Sequence, residues 1–199
     1  MSTVNLRIEL VGAEPPVWRE VRIPREIPLT VLHWTIQSVM GWQAEHLHGF
    51  ARGNGYWGAA AVWVPEPRES NENPERDATL GQLLGRGRTA TYMYDFGDDW
   101  EHRLTVQATD PADIDQIELV DGRGGFMLEN VGGVYGLSEA VSLVAELGRG
   151  GKLTADQSDF IEMLYGGKPS PRDRKRLLQF DADAVRRGLA QIPVDGAAS

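Results

Sequence analysis

The sequence predicts an α+β protein in which a mostly antiparallel sheet carries one long early helix and a helical C-terminal segment. Three observations predict this class. Short runs of alternating apolar and polar side chains dominate the chain up to about residue 122, one helical pattern interrupts them near residue 30, and capped helical patterns follow residue 136. Grouped strands followed by grouped helices are typical of α+β folds rather than of parallel α/β folds.

The chain opens with a predicted β-turn-β unit and a helix. Residues 4–10 alternate apolar and polar side chains, which indicates a half-buried strand. A Gly- and Pro-containing break precedes residues 17–23, which have the pattern of the returning strand. Residues 28–40 place apolar side chains at helical spacing, and Gly41 ends the predicted helix.

The middle of the chain predicts further strands and one irregular segment. Residues 46–53 and 59–67 have the composition of two strands. Residues 65–78 are polar, contain proline and show no periodicity, so we expect an exposed excursion there. Residues 79–87 predict a short helix or turn, and residues 117–122 predict one more strand.

A β-hairpin is predicted around the sequence FGDD. Residues 89–96 and 100–106 are two alternating runs joined by these turn-forming residues. The alternation predicts that each strand presents two distinct faces. One face of the first strand comprises Thr91, Met93 and Asp95, and the other comprises Tyr92, Tyr94 and Phe96. One face of the second strand comprises Trp100, His102, Leu104 and Val106.

The C-terminal part predicts a glycine-rich loop over residues 123–136 and then helices. The predicted helical segments are residues 138–148 with Ser138 as cap, 154–167 with a Thr154–Gln157 capping box, 170–180 with a Ser170 cap, and 181–192 with an Asp181 cap. We expect one domain over residues 1–199. Its parts are a sheet-and-helix core over 1–121, the loop and helices over 122–192, and a tail over 193–199.

Composition narrows the classes of function. The 199 residues include no cysteine, which excludes thiol catalysis, iron–sulfur clusters and thiolate zinc sites. The formal charge of −9 disfavours nucleic acid as a partner, although residues 168–192 hold seven basic against three acidic side chains and make a local basic patch possible. No apolar run reaches the length of a membrane span, so we expect no membrane and a cytoplasmic location.

The hairpin tip is the first candidate site. Asp95, Asp98 and His102 are candidate catalytic residues, because a carboxylate and an imidazole in proximity are able to move a proton. The alternative is structural, because Asp is favoured in turns where its side chain accepts backbone N–H groups. Asp95 shares its predicted face with a core residue, and a buried carboxylate needs a partner.

The second candidate is a divalent metal site. His46 and His48 are two residues apart, which on a strand places both imidazoles on one face, and Asp99 is a candidate carboxylate ligand. Two histidines on a solvated strand equally need no metal. If His46 and His48 meet the Asp95–His102 tip in space, the whole set becomes one site.

Tryptophan supplies the third candidate. Trp42, Trp57 and Trp100 are candidate ligand-binding residues that stack on a small molecule, and the alternative is that they anchor the core. No nucleophile elbow, phosphate-binding loop, dinucleotide fingerprint or His-Glu-x-x-His helix is present in the sequence.

Four blocks of the sequence resemble the plasmid pRiA4b ORF-3-like family, whose members are often labelled TnpR-like transposon proteins. They are PPVWREVRIP, LTVLHWTIQSVMGWQAEHLHGF, TLGQLL and YMYDFGDDWEHRLTV, within residues 4–107. The resemblance implies a compact α+β domain with a mostly antiparallel sheet and suggests a genetic-element setting.

Beyond those blocks the chain departs from the family pattern. Glu129, Gly132, Gly133 and Gly136 match it, whereas Phe126 stands where the pattern has a cysteine. A thiol-dependent role of that loop is therefore absent, and the more apolar loop is expected either to line a pocket for an organic ligand or to fill core.

Two functional hypotheses follow from the sequence. The leading one is an intracellular binding or accessory protein, with a small-molecule or protein partner, associated with a mobile element or gene cluster. The alternative is a small enzyme, a hydrolase, lyase or cyclase, that uses the His/Asp constellation with or without a divalent metal.

Overall fold

A computed structural model describes residues 2–194 and confirms the α+β class, with eight strands in one sheet and six α-helices in that range. The strands are Thr3–Leu10 (β1), Trp18–Pro24 (β2), His48–Arg52 (β3), Val62–Val64 (β4), Glu72–Pro74 (β5), Thr89–Tyr94 (β6), Trp100–Asp110 (β7) and Glu118–Arg123 (β8). The α-helices are Leu29–Met40 (α1), Leu80–Leu84 (α2), Gly133–Gly148 (α3), Ala155–Tyr165 (α4), Pro171–Leu178 (α5) and Ala182–Leu189 (α6).

The sheet has the strand order β5-β4-β3-β6-β7-β1-β2-β8, and every neighbouring pair except β4–β5 is antiparallel. The hairpin of β6 and β7 lies at its centre, between β3 and β1. In this register Tyr94 is opposite His48 on one side and opposite Trp100 on the other. His48, Tyr94 and Trp100 therefore lie side by side on neighbouring strands in the middle of the sheet.

One face of the sheet forms the main hydrophobic core with the helices. Leu6 and Ile8 of β1, Leu32 and Ile36 of α1, and Leu189 of α6 belong to one cluster of buried side chains. Because their buried side chains belong to this cluster, the C-terminal helices pack on the same core as the sheet. Burial of this apolar surface stabilises the fold by about 25 cal/mol per Å² removed from water.

A charged side chain, Arg19, lies in that core with no exposed surface. Its guanidinium donates to four backbone carbonyls: Nε to Val39 at 2.9 Å, Nη1 to Trp18 at 2.8 Å and Arg123 at 2.5 Å, and Nη2 to Gly125 at 2.7 Å. Burial lowers its pKa to about 10, so the group stays charged at neutral pH. The side chain thus ties the end of α1 to the segment that follows β8.

Two backbone hydrogen bonds continue this attachment. The Met127 N–H donates to the Met40 carbonyl at 3.0 Å, and the Phe126 N–H donates to the Arg176 carbonyl at 2.8 Å. The segment after β8 is consequently fixed between α1 and α5, which sets the position of the residues that follow it.

The helix caps of the C-terminal part are confirmed, and one predicted helix start is wrong. Thr154, Ser170 and Asp181 each accept a backbone N–H at the start of their helices. Helix α3, however, begins at Gly133 instead of at Ser138, whose hydroxyl donates to the Val134 carbonyl inside the helix at 2.8 Å. The last four residues of the predicted glycine-rich loop, 133–136, therefore form the first turn of α3.

Several strand boundaries also differ from the prediction. The predicted strand over 46–53 begins at His48, and the one over 59–67 is confined to Val62–Val64. The predicted irregular segment 65–78 contains the short edge strand β5, which the Asn73 side chain supports by donating to the Val62 carbonyl at 3.1 Å. A three-residue strand has no periodicity to detect in the sequence.

The predicted face of Phe96 is wrong. Tyr92 and Tyr94 belong to the main core, but Phe96 packs with Met93 in a second cluster on the other face of the sheet. The reason is that β6 ends at Tyr94 and Asp95 has a positive φ of 54°, so the alternation stops before Phe96.

Across residues 2–194, none of the helices combines the length and the apolar character that crossing a bilayer requires.

Replacing Arg19 should strongly destabilise the protein. For Arg19→Met we expect the free energy of unfolding to fall by about 3 kcal/mol or more, because four carbonyls lose charge-assisted hydrogen bonds in the core. Urea denaturation followed by far-UV circular dichroism measures this change.

The matched control is Arg22→Met on the same strand. Arg22 forms exposed ion pairs with Asp110 and Glu118, which are each worth about 0–1 kcal/mol. Equal destabilisation by the two substitutions would contradict the role assigned to Arg19.

Candidate functional site

Three loops meet beside the centre of the sheet. They are residues 41–47 after α1, residues 95–99 between β6 and β7, and residues 129–132 before α3. The Gln43 N–H donates to Glu129 Oε1 at 2.7 Å, and the Gly132 N–H donates to Asp98 Oδ2 at 3.1 Å. Carboxylates thus join loops that are far apart in the sequence.

His46 lies where the three loops converge. Its Nε2 is 3.5 Å from Asp95 Oδ2 and 3.4 Å from Glu129 Oε2. The imidazole is 26% exposed, whereas the carboxylate side chains are only 12% and 6% exposed. Nε2 itself is buried and has no hydrogen-bond partner of good geometry. One ring nitrogen therefore faces two carboxylates, while another part of the same ring meets solvent.

Glu129 is held by a tyrosine from the centre of the sheet. The Tyr94 hydroxyl donates to Glu129 Oε1 at 3.0 Å and accepts the Glu45 N–H at 3.0 Å. Burial and then the negative charge of Glu129 raise the pKa of the Tyr94 phenol above its ordinary value. The phenol therefore keeps its proton and acts as a fixed donor to the carboxylate.

The same loops carry the backbone strain of the described chain. The residues other than glycine with positive φ in residues 2–194 are Ala44, Asp95, Asp99 and Asn130, at 57°, 54°, 52° and 55°. A positive φ is uncommon outside glycine, and such strain persists only where the surrounding structure enforces it. All four lie in the three loops that meet at His46.

The aspartates of the hairpin tip also have structural partners. Asp95 Oδ1 accepts the Gly97 N–H at 3.0 Å, which leaves Oδ2 facing His46. Asp99 Oδ1 accepts the indole N–H of Trp57 at 3.1 Å. Asp98 is occupied by the loop contact described above. Of the three aspartates, Asp95 is the one that reaches an imidazole.

His48 lies apart from His46 and has a different partner. Its Nε2 is 2.9 Å from Glu75 Oε2, and its ring stacks on His33 with centroids 3.6 Å apart. His33 Nδ1 is 2.9 Å from the Tyr92 hydroxyl. Burial, and next the neighbouring His48, lower the pKa of His33 to about 3. Within residues 2–194, no group of three or more His, Asp and Glu side chains is arranged to hold a metal ion.

His102 and two of the candidate tryptophans form a buried cluster. His102 and Trp100 have no exposed surface, and Trp42 is 6% exposed. The Trp42 indole N–H donates to His102 Nε2 at 3.3 Å. Burial lowers the pKa of His102 to about 4, although the nearby carbonyls of Trp100 and Tyr92 oppose this shift without reaching Nδ1 in hydrogen-bond geometry. We leave His102 and Trp100 out of the proposed site, because neither meets solvent.

Trp57, by contrast, is 63% exposed on the second face of the sheet, against Tyr56 and Phe96. It stays a candidate for stacking on a ligand, held in place by its bond to Asp99.

Sequence reasoning did not select Glu129 or Tyr94. Glu129 is 83 residues from His46 in the chain, and only tertiary packing brings them together. A signal was nevertheless present, because Glu129 matches the family pattern at a position where neighbouring residues depart from it. The convergence of His46 with the carboxylate of Asp95 was part of the sequence hypothesis, and these two side chains do lie in proximity.

Comparisons with known proteins identify sequence relatives and one solved structure of similar fold. A family model described as plasmid pRiA4b ORF-3-like protein matches residues 2–164. An uncharacterized protein of Sinorhizobium fredii, y4hQ, is 33% identical over 148 residues, which cover 73% of this chain and 74% of the relative. A crystal structure of a protein of unknown function, MM3350 from Methanosarcina mazei Go1, superimposes with a TM-score of 0.73 at 24% identity, over 92% of this chain and 96% of that one.

The buried histidines should resist protonation. We expect the NMR signals of His33 and His102 to show no protonation between pH 7 and about pH 5, because burial lowers their pKa values to about 3 and about 4. Both values are below the unfolded value of about 6.5, so the unfolded state binds more protons in between. The contribution of each group to stability is therefore lost as the pH falls from about 6.5 towards its folded pKa.

A pH titration of the imidazole carbon-bound protons, assigned with His33→Gln and His102→Gln, measures these values. Four imidazoles that all titrate near pH 6.5 would contradict the described burial.

Proposed function

We propose, from the premise that the chain belongs to the plasmid pRiA4b ORF-3-like family and from the surroundings of His46, that this protein is a small enzyme that transfers a proton through His46. The observation that carries the proposal is the position of Nε2 between Asp95 and Glu129. A histidine base is most effective when a carboxylate fixes its orientation and tautomer on the side away from the substrate.

Each residue has a distinct part in this scheme. The negative charges of the two carboxylates, 3.5 and 3.4 Å from Nε2, favour the tautomer with its proton on Nε2, so that Nδ1 carries the free electron pair. Nδ1 then takes a proton from a substrate O–H or C–H bond, whose electron pair stays on the substrate, and the imidazolium formed is stabilised by Asp95 and Glu129. Return of that proton from Nδ1 to the leaving group restores the neutral ring.

Tyr94 is a positioning residue in the scheme. Its hydroxyl bonds to Glu129 and to the backbone of Glu45, so it fixes the carboxylate relative to the loop that carries His46. The reaction classes that fit such a proton relay are hydrolysis, elimination and cyclisation, the alternative that the sequence suggested. Asp98 and Asp99 support the loops in this proposal and do not touch the substrate.

A second candidate is the binding or accessory role without catalysis. The observation in its favour is a cleft beside α1 that four cationic side chains of α5 and α6 line. Association with a mobile element stays a prediction, supported by the family description, which refers to a plasmid reading frame. If the protein acts on DNA, its affinity should fall steeply with salt concentration.

His46 should be the most reactive histidine toward diethyl pyrocarbonate. The other three histidines, His33, His48 and His102, are 5%, 8% and 0% exposed. We expect carbethoxylation of His46 to proceed at least about tenfold faster than that of the buried rings, because the reagent attacks an accessible neutral imidazole nitrogen. Mass spectrometry of peptides from the folded protein measures the four rates.

Activity is tested on a panel of nitrophenyl esters of carboxylic and phosphoric acids. For any turnover found, we expect His46→Gln to lower kcat by about 100-fold or more with little change in KM, because a general base contributes about 10²–10⁴-fold. The matched control is Glu45→Gln, an exposed side chain on the same loop. Turnover that is equal in the two variants, or slow labelling of His46, would contradict the proposal.

A further inference from the structure

A cleft of about 560 Å³ is bordered by the first residues of the loop that carries His46. Its walls come from the end of α1 and the loop after it, from Phe126, and from α5 and α6. This volume is within the range of about 300–1,000 Å³ that small-molecule sites occupy. The cations of the cleft lie on α5 and α6, beyond the residues that the family model matches.

The cleft is strongly basic in a protein of net charge −9. Four cationic side chains line it, and Asp181 is the one carboxylate among its lining residues. The cations are Arg172, Lys175, Arg176 and Arg187. The first three are spaced by three and four residues, so they share one face of α5. Cations concentrated in a concave surface raise the local concentration of anions.

Two of these arginines are available for a ligand. Asp181 Oδ2 lies 4.0 Å from Lys175, and its Oδ1 accepts the Ala184 N–H at the start of α6. Within residues 2–194, neither Arg172 nor Arg176 has a carboxylate oxygen within ion-pair distance. A guanidinium presents paired donors that match phosphate and carboxylate oxygens, which makes arginine the side chain best suited to bind such groups.

Two aromatic side chains contribute to the opposite wall, beside the polar Gln37, Ser38 and Gln43. Phe126 and Trp42 both line the cleft, and the Arg176 guanidinium lies 5.8 Å from the centroid of the Phe126 ring. Gly41 has φ 85°, and a Cβ there would overlap the Phe126 ring, so glycine is needed for this ring to occupy its position. An aromatic surface beside a cationic one fits a flat organic body attached to an anion.

We propose that this cleft binds a small phosphomonoester that carries an aromatic ring. The dianionic phosphate lies among Arg172, Arg176 and Arg187, and the ring packs against Phe126 and the edge of Trp42. Phosphate is assigned in preference to carboxylate because it carries up to two charges and presents three oxygens to the several cations of the cleft. This binding does not depend on proton transfer by His46.

Isothermal titration calorimetry of the full chain at low salt tests the proposal with four probes. They are AMP, which has both parts, adenosine, which has the ring alone, inorganic phosphate, which has the anion alone, and benzoate as a carboxylate. We expect AMP to bind more tightly than inorganic phosphate and adenosine to bind least, with affinity for AMP falling as salt screens the cations.

The chain offers a matched pair of double variants on the same two helices. Arg176→Gln with Arg187→Gln removes two cations of the cleft, and we expect it to weaken AMP binding about tenfold or more. Arg174→Gln with Arg186→Gln removes the same charge from side chains that do not line the cleft, and we expect a change of about twofold or less. Both pairs are exposed or half-buried, so folding should be retained.

Three results would overturn the proposal. They are no AMP binding at about 1 mM, equal weakening by the two double variants, or binding of benzoate without binding of AMP and phosphate. The His46→Gln variant separates this proposal from the preceding one, because it should lose proton transfer and keep its affinity for AMP.

Discussion

The buried guanidinium of Arg19 is the interaction on which both candidate sites depend. A charge in a hydrophobic core is unfavourable unless polar groups surround it, and here four backbone carbonyls supply that compensation. Those carbonyls belong to β2, to the end of α1, to the last residue of β8 and to the segment after it. The hydrogen bonds that compensate the buried charge therefore also fix the distance between α1 and residues 123–127. That attachment sets the positions of Phe126 in the cleft and of Glu129 beside His46.

The site at His46 combines local strain with a rigid support. The sheet centre holds Tyr94 and the buried imidazole of His102, and His33 of α1 packs against it; the lowered pKa values of the two imidazoles keep them neutral. His33 and His102 thus contact Tyr92 and Trp42 by hydrogen bonds in the core without adding charge to it. The residues other than glycine with positive φ within residues 2–194 all lie in the three loops next to this support. Binding and catalytic residues are often carried by loops that a rigid scaffold holds in place. Of the four histidines, His46 is the one in substantial contact with solvent, because it lies on one of these loops.

Local patterns predicted much of the fold. Alternation identified the central hairpin, and the helical spacing and Gly41 identified α1, because both signals depend on residues close in sequence. The caps at Thr154, Ser170 and Asp181 were predictable because a cap needs only the next three residues. The start of α3 was not, because Gly132 and Gly133 are ordinary signs of a loop until tertiary contacts such as that of Asp98 with the Gly132 N–H hold them.

The site could be predicted only in part, for the same reason. The proximity of His46 to Asp95 was a hypothesis with no local signal to decide it, and the separate partners of His46 and His48 depend on where β3 begins. Arg19 did leave a trace, since it shares the alternating face of Val21 and Ile23 in β2. A charged residue on an apolar face indicates a specific buried partner, yet four carbonyls from distant segments cannot be named from that pattern.

Amide hydrogen exchange in folded Arg19→Met tests the central claim most directly. If Arg19 fixes the segment that carries Glu129, protection of the Phe126, Met127 and Gln43 amides should fall together, while the amides shared by β6 and β7 keep theirs. Protection of Gln43 that stays at the wild-type level while Phe126 and Met127 exchange freely would contradict the account, because Glu129 would then hold its position without Arg19.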